Sequence, residues 1–513
     1  MSLNPRKKTI SFKSLQDIAG SLLDINCETN PQISGIQIDS RRIKKGELFL
    51  AYPGENADGR EFISAAIKQG VAAIFFEESG CTDQITRSLR EKQPLIPAIP
   101  VKDLAKNAGF FAANFYEHPS QKMKVLGITG TNGKTTCSHL LTEAMTHLGK
   151  KSALIGTLGS GLWGQLHENK NTTPDPVSLQ KSLSTVQDQG AEYLAMEVSS
   201  HGLDQGRVNG IDYHTAILTN LSRDHLDYHG TMERYIQTKE KLFSWPLLRH
   251  GILNVDDAIS REVFERLIKA SSVDLITVGR NVDLKNNRGI KVIDTEINDE
   301  AIKIRLESSW GNGELCNSNL HGEFNVDNLL LVLAALLVLK LPFEDVLLAM
   351  AQVHGVPGRM EKLGGGSLPR VFVDYAHTPD ALHCALTAAR NYTSEKVICV
   401  FGCGGNRDQG KRSEMGIIAC KQADQFIVTA DNPRYESVKA ICQQILSEVP
   451  SKENCLIILD RADAIAHAIS MAGKGDVVLV AGKGAEHYQE INGQRFEFSD
   501  HQIINAELAR RAA

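Results

Sequence analysis

The sequence predicts an α/β protein of three domains, over residues 1–103, 104–350 and 351–513. Three observations lead there. The chain has 513 residues, and at ~150 residues per domain that length accommodates about three. From residue 103 onward, apolar strands alternate with stretches of helical spacing, the mark of parallel strands covered by helices. A Gly- and Pro-bearing break, GVPGRME (355–361), is followed by four more apolar strands, each leading into a polar or Gly-rich loop.

Taken in order, the first domain reads as a small α/β unit. GELFLAY (46–52) is strand-like, GREFISAAIKQG (59–70) has helical spacing with a Gly stop signal, and VAAIFFE follows as a second strand. In the central domain MKVLGIT (123–129) is a buried strand. The segment after it places Leu140, Leu141, Ala144, Met145 and Leu148 on one helical face. Further strands are YLAMEV (193–198) and TAILTNL (215–221), and a Leu-rich helix follows Asn325. The third domain repeats the pattern with VFVDYA (371–376), KVICVFG (396–402), QFIVTA (425–430) and DVVLVAG (476–482). Ligands of such a sheet are expected at the carboxyl ends of its strands.

Composition removes several function classes. With 42% hydrophobic and 23% charged residues the chain forms cores and is not disordered. A net charge of −5 gives no bulk attraction to nucleic acid. The longest apolar run, 329–339, has eleven residues, short of the ~20 that span a bilayer, so no membrane insertion is expected. No apolar stretch backs the basic residues of the start, so no secretory signal is read. The ten cysteines form no C-x-x-C pair, which fits a reducing cytoplasm better than a zinc site or disulfide framework.

TGTNGKTT (129–136) sits between a buried strand and an amphipathic helix. Backbone N–H groups of such a loop cradle phosphates, Lys134 would neutralise the β/γ-phosphates, and the Thr135 hydroxyl would face magnesium. The central domain is therefore expected to be a P-loop-type mononucleotide-binding sheet, and the third a Rossmann-like one. GSGLWG (159–164) also has dinucleotide-loop spacing, but a polar, Pro-broken stretch follows it, so a surface turn is expected. Glu197 ends one strand, and Asp224, His225 and His229 follow another. Beside a phosphate loop these acidic and imidazole groups suit a nucleotide–metal site.

Lys239 is the least expected residue. It falls on the helical face of Tyr235, Ile236, Leu242 and Phe243. Spacing alone favours a snorkelling lysine. Held in low dielectric, however, the amine would lose its proton readily and could combine with carbon dioxide to a carbamate, an oxygen ligand for a hard metal. Arg407, Arg434 and Glu486 lie at strand ends of the third domain, where two guanidiniums and a carboxylate suit a small amino acid.

These segments, in order, resemble the Mur ligase family: IDSR (38–41), TGTNGKTT, NTT (171–173), MEVSSHGLDQGR (196–207), TNLSRDHLDYHG (219–230), HGEFNVDN (321–328), GRME (358–361), DYAHTPD (374–380), GCGGNRD (402–408) and DNPR (431–434). The resemblance implies an ATP-dependent amide-bond ligase of peptidoglycan precursor synthesis. Its implied substrates are a UDP-N-acetylmuramoyl dipeptide and meso-diaminopimelate, with L-lysine as the alternative amino acid. It implies UDP-substrate contacts at Ile38, Ser40, Glu55, Asn56, Ala57, Asn171, Thr172, Thr173, Ser199, Gln205 and Arg207. ATP would meet Gly130, Thr131, Asn132, Gly133, Lys134, Thr135, Thr136, Asn325, Arg359 and Asp374. Magnesium would meet Thr135, Glu197, His225 and a carbamylated Lys239, with Lys134, Glu197, His225 and Lys239 catalytic. The amino acid would meet Arg407, Asp431, Asn432, Pro433, Arg434, Gly482 and Glu486. A cytoplasmic monomer is expected. One position departs from the pattern: Ala485 stands where the family usually has His.

Overall fold

A computed structural model of the chain describes residues 12–25, 29–54, 57–80, 96–169, 171–298 and 300–512. It divides into two compact units. The first holds Met1–Gly127, Lys151–His214 and Trp245–Leu247; the second holds Ile128–Lys150, Thr215–Ser244 and Leu248–Ala513.

In the first unit, four parallel strands pair in the order Ile36–Gln37, Leu48–Ala51, Ala73–Glu77 and Ala98–Val101. Leu48 and Leu50 join Phe75 and the helix Leu104–Phe115 in one apolar cluster, while Phe49, Ala51 and Ile74 join Ile63 and Ala66 in another. A strand buried on both faces reads as a continuous apolar run, which is why GELFLAY was legible. The stretch 59–70 is not one helix. Asp58 accepts the backbone N–H and the guanidinium of Arg60, which tightens Gly59–Phe62 into a 3₁₀ turn before the helix Ile63–Lys68.

The same unit pairs Tyr193–Glu197 parallel with Ser152–Gly156, which in turn pairs antiparallel with Gly159–Leu162. The surface turn expected at 159–164 is thus a strand whose first three residues are buried. Gly159 (φ +129°) and Gly161 (φ +151°) let the chain return closely, because a Cβ there would lie 2.5 Å from the His167 carbonyl oxygen and 2.4 Å from that of Gln165.

In the second unit Thr215–Leu218, His250–Asn254, Asp274–Gly279 and Arg288–Ile297 pair in parallel, as the alternation predicted. Two antiparallel strands, Ile302–Ser308 and Asn312–Asn317, extend them, so the sheet is mixed and not wholly parallel. Ile302, Ile304 and Leu306 alternate toward the core, a period-two signal that ends in solvent on the other face. The apolar run 329–339 lies in the buried helix Phe324–Val338 and the residue that follows it.

A six-stranded sheet completes this unit in the order Glu361–Gly364, Arg370–Asp374, Val477–Ala481, Val397–Phe401, Gln425–Val428 and Cys455–Ile457. All neighbours are parallel except the first pair. Apolar clusters cover both faces, as a doubly wound sheet requires. Its carboxyl ends lead into the segments with Asp374, Arg407, Arg434 and Glu486. No described helix is long and apolar enough to cross a membrane, and the described cysteines are free thiols.

Candidate active site

In the first unit, Glu197 ends its strand fully buried. Its carboxylate accepts hydrogen bonds from the Thr157 N–H (2.8 Å) and hydroxyl (3.1 Å). Gly156 makes room for it: a Cβ there would lie 2.2 Å from Oε1. The Thr157 and Thr172 hydroxyls meet at 3.0 Å. The Thr173 hydroxyl donates to the Glu197 carbonyl at 2.9 Å and accepts from the Ser199 N–H at 3.0 Å. Ser199 then caps the helix Ser200–Asp204. Arg207 donates to the Thr173 carbonyl (3.1 Å) and to Gln205 Oε1 (2.7 Å). One network therefore joins Thr172, Thr173, Glu197, Ser199, Gln205 and Arg207, with exposed Asn171 beginning the segment.

Two residues beside this network went unread in the sequence. Burial pushes the Tyr52 phenol upward, Asp175 adds to the shift and Arg207 opposes it, so the three share one neighbourhood. Asp175 caps the helix Pro176–Asp188; the polar, Pro-bearing segment 171–176 was a helix start, legible from Asp followed by Pro. Ser40 is buried at the start of the 3₁₀ turn Ser40–Arg42, and Ile38 packs against the sheet core. The exposed Ala57 accepts a bond from the Gly54 N–H at 2.9 Å. Glu55 and Asn56 lie outside the described residues.

In the second unit the phosphate-type loop leads into the helix Lys134–His147. Gly130 (φ +141°) and Gly133 (φ +84°) lie so close to Thr219 and Asn328 that a Cβ would come within 1.9 and 2.6 Å of their side-chain oxygens. The Lys134 ammonium folds back onto the loop, donating to the carbonyls of Gly130 (2.9 Å) and Thr131 (2.8 Å). The Thr131 hydroxyl meets the Tyr235 hydroxyl at 3.1 Å, and the Asn132 N–H donates to Asn220 Oδ1 at 3.0 Å. Thr135 and Thr136 are buried, and Arg359 Nη2 donates to the Thr135 hydroxyl at 3.3 Å. The same guanidinium stacks 4.1 Å above the Tyr375 ring.

Lys239 is 2% exposed. It does not snorkel: its amine donates to the Gly130 carbonyl at 2.7 Å and lies 4.7 Å from the Tyr235 ring centre. Burial and the nearby Lys134 charge push its pKa well down, against the pull of Asp224. Asp224 collects the local cations. Burial alone would raise its carboxyl, yet His225, His377, Lys411 and Lys134 outweigh that and hold it at about 2. His225, at φ +55°, lies 3.3 Å from the same carboxylate.

Buried Asn325 donates to the His321 carbonyl (2.7 Å) and accepts from Asn328 (2.9 Å). Asp374 accepts from the N–H groups of Met360 (2.6 Å) and Ala376 (2.8 Å), and burial outweighs Arg359 to raise its pKa. Gly482 (φ +116°) donates to the Asp374 carbonyl, and a Cβ on it would lie 2.6 Å from Asp431 Oδ2. Asn432 Nδ2 and the buried Lys483 ammonium both donate to Glu486 Oε2, at 2.9 and 2.8 Å. Lys483 also donates to Asn432 Oδ1 at 3.2 Å. The sequence reading missed Lys483; the Glu three positions on was its only signal. Pro433 turns the chain into Arg434, and Gly404 separates Arg434 from exposed Arg407.

Taken each within its own unit, the Glu197 carboxylate and the Thr135 hydroxyl offer the oxygen chemistry of a hard cation that keeps several waters. Lys239 as a plain amine does not, since it offers no oxygen and its Nζ already donates to the Gly130 carbonyl. Among the described residues no three His, Cys, Asp or Glu side chains already form a metal cluster.

Residues 32–116 match the Mur ligase family catalytic domain, 128–336 the Mur ligase middle domain and 358–484 the Mur ligase glutamate ligase domain. The chain is 44% identical over 471 residues to the UDP-N-acetylmuramoyl-L-alanyl-D-glutamate–2,6-diaminopimelate ligase of Coxiella burnetii, covering 91% of this chain and 94% of that one. A solved structure of an enzyme with that same name superimposes with a TM-score of 0.68 at 31% identity, over 98% of this chain and all of the other. The MurF ligase of Thermotoga maritima in complex with ADP shares the fold, with a TM-score of 0.63 at 17% identity over 93% and 98% of the two chains. The chain belongs to the Mur ligase family, with that family's three-domain α/β fold.

Proposed function

We propose that this protein is the ATP-dependent ligase that adds meso-diaminopimelate to UDP-N-acetylmuramoyl-L-alanyl-D-glutamate. The D-glutamate γ-carboxylate attacks the γ-phosphorus of ATP and expels ADP, leaving an acyl phosphate. The diaminopimelate amine attacks that carbonyl carbon and expels phosphate, leaving the amide. The protein's part is positioning and charge neutralisation. Lys134 trades its loop carbonyls for β/γ-phosphate oxygens. Asn325, Arg359 and Asp374 hold the nucleoside side, and the Thr172–Arg207 network with Ser40 holds the UDP-linked substrate. Arg407, the DNPR segment, Gly482 and Glu486 hold the amino acid. Thr135, Glu197, His225 and a carbamate on Lys239 would hold magnesium, which when bound neutralises phosphoryl oxygens.

The observation that carries this reading is one compact unit holding both the phosphate loop with its folded-back lysine and the DNPR loop, whose Asn432 donates to Glu486. Similarity to the Coxiella enzyme over 91% of the chain supports the choice of amino acid. L-Lysine lacks the second carboxylate that Arg434 can grip. Domain limits at 103 and 350 belong to the same proposal. Free thiols fit work in the cytoplasm, where a monomer suffices. Phosphate release with ATP, the UDP-dipeptide and a panel of amino acids tests it: diaminopimelate should turn over and lysine only at a small residual rate. Equal release with lysine, or none with any amino acid, refutes it.

A further inference from the structure

The hairpin of Tyr488–Ile491 and Gln494–Glu497 is tied to the DNPR loop. The Arg434 N–H donates to the Glu490 carbonyl at 3.0 Å, and the Asn492 N–H donates to the Arg434 carbonyl at 2.7 Å. The Glu490 N–H donates to Asn432 Oδ1 (2.9 Å), and Gln489 Nε2 to the Asp431 carbonyl (2.8 Å). These bonds hold Arg434 at φ +51°, a conformation a side-chain-bearing residue seldom keeps unaided.

The guanidinium is fixed at two of its three nitrogens. Nη1 donates to the Gly405 carbonyl at 2.8 Å, and Nε faces the Glu490 carboxylate at 3.3 Å. Nη2 makes no hydrogen bond among the described residues. Both side chains are about one-fifth to one-quarter exposed (21% and 24%), so water screens the pair only in part.

We infer that Glu490 is a positioning residue for amino-acid selectivity: with the Gly405 carbonyl it immobilises the Arg434 guanidinium and leaves Nη2 open to the second carboxylate of the incoming amino acid. The inference rests on the reading of Arg434 given above. Without Glu490 the long side chain has one anchor, and binding must order it. Such ordering corresponds to about tenfold in affinity. An amino acid without a second carboxylate makes no use of the arrangement.

The test measures kcat and KM of the full chain for meso-diaminopimelate and L-lysine, in Glu490→Ala and, beside it, Arg434→Ala. In Glu490→Ala the diaminopimelate KM should rise about tenfold with kcat within twofold, and kcat/KM for lysine should stay put. Unchanged diaminopimelate KM, or an equal fall for both amino acids, overturns the inference. If Arg434→Ala loses its preference for diaminopimelate while Glu490→Ala keeps that preference undiminished, only the inference fails. If Arg434→Ala keeps that preference, the reading of Arg434 fails and the inference with it. Thermal melting separates either result from misfolding.

Discussion

Replacing Lys239 by Met separates a residue kept for chemistry from one kept for packing. Met keeps the apolar stem and removes the amine. The folded state loses one good hydrogen bond, to the Gly130 carbonyl at 2.7 Å, and a long one of 3.5 Å to the Thr129 hydroxyl. A bond of this kind contributes about 1 kcal/mol net. The Gly130 carbonyl is not stranded, because Lys134 also donates to it at 2.9 Å. Against that loss, the substitution removes the cost of burying an amine, about 1–3 kcal/mol. The balance lies near zero, so the melting temperature should move by only a few degrees. Activity should fall at least ~10²-fold, the scale of losing one electrostatic group at a reacting phosphate. Millimolar short-chain carboxylates should restore part of it by standing in for the carbamate oxygens. Phosphate release and a thermal melt on the same preparation measure both effects. Near-normal turnover in Lys239→Met, or activity lost only in step with unfolding, would refute the reasoning.

Three more outcomes are expected. Gly156→Ala sets a Cβ 2.2 Å from Glu197 Oε1 and so disturbs two bonds from Thr157, each about 1.5 kcal/mol or more. Stability should drop by about 2–3 kcal/mol in denaturant titration, and a smaller drop in a Glu197→Ala background would tie it to that carboxylate. Lys134→Ala should lose at least ~10² in kcat by phosphate release, and full activity would mean that 129–136 is not the reacting phosphate loop. Burial holds His139 at about 4, below its ordinary 6.5, so the unfolded chain takes its proton first as pH falls. Stability is whole above pH 6.5 and declines toward pH 4 by up to about 3 kcal/mol, and His139→Gln should flatten that slope in pH-dependent melts.

Much of the fold was legible because burial on both faces leaves no polar residue to blur a strand. VFVDYA and DVVLVAG are such strands, forming Arg370–Asp374 and Val477–Ala481, which pair with each other. The antiparallel extension Ile302–Ser308 was not read, because Lys303, Arg305 and Glu307 face away from its core and dilute the apolar signal. GSGLWG misled for a related reason: two glycines serve close backbone approach there, which composition cannot tell from a loose turn. In the site, the phosphate loop and strand-end charges could be found, since short spacing fixes them locally. Asp175 was legible as a helix start but not as part of the site, and Tyr52 and Lys483 were not read, because residues distant in sequence set their surroundings.

The electrostatics of the second unit explain why Asp224, expected from its place after a strand, matters there. Lys134, Lys411, His225 and His377 all act on its buried carboxylate. Lys134 meanwhile lies on two carbonyls of its own loop, and Lys239 on one of the same two. Without Asp224 the charge of Lys134 would bear on the buried Lys239 amine unopposed. Asp224 opposes that push only in part, and the reason is depth: Lys239 is sealed at 2% exposure, whereas Lys134 is only partly buried. Two residues of the same type thus share one carbonyl, and burial with the Lys134 charge sets the Lys239 amine apart, its pKa pushed well down against the pull of one shared anion.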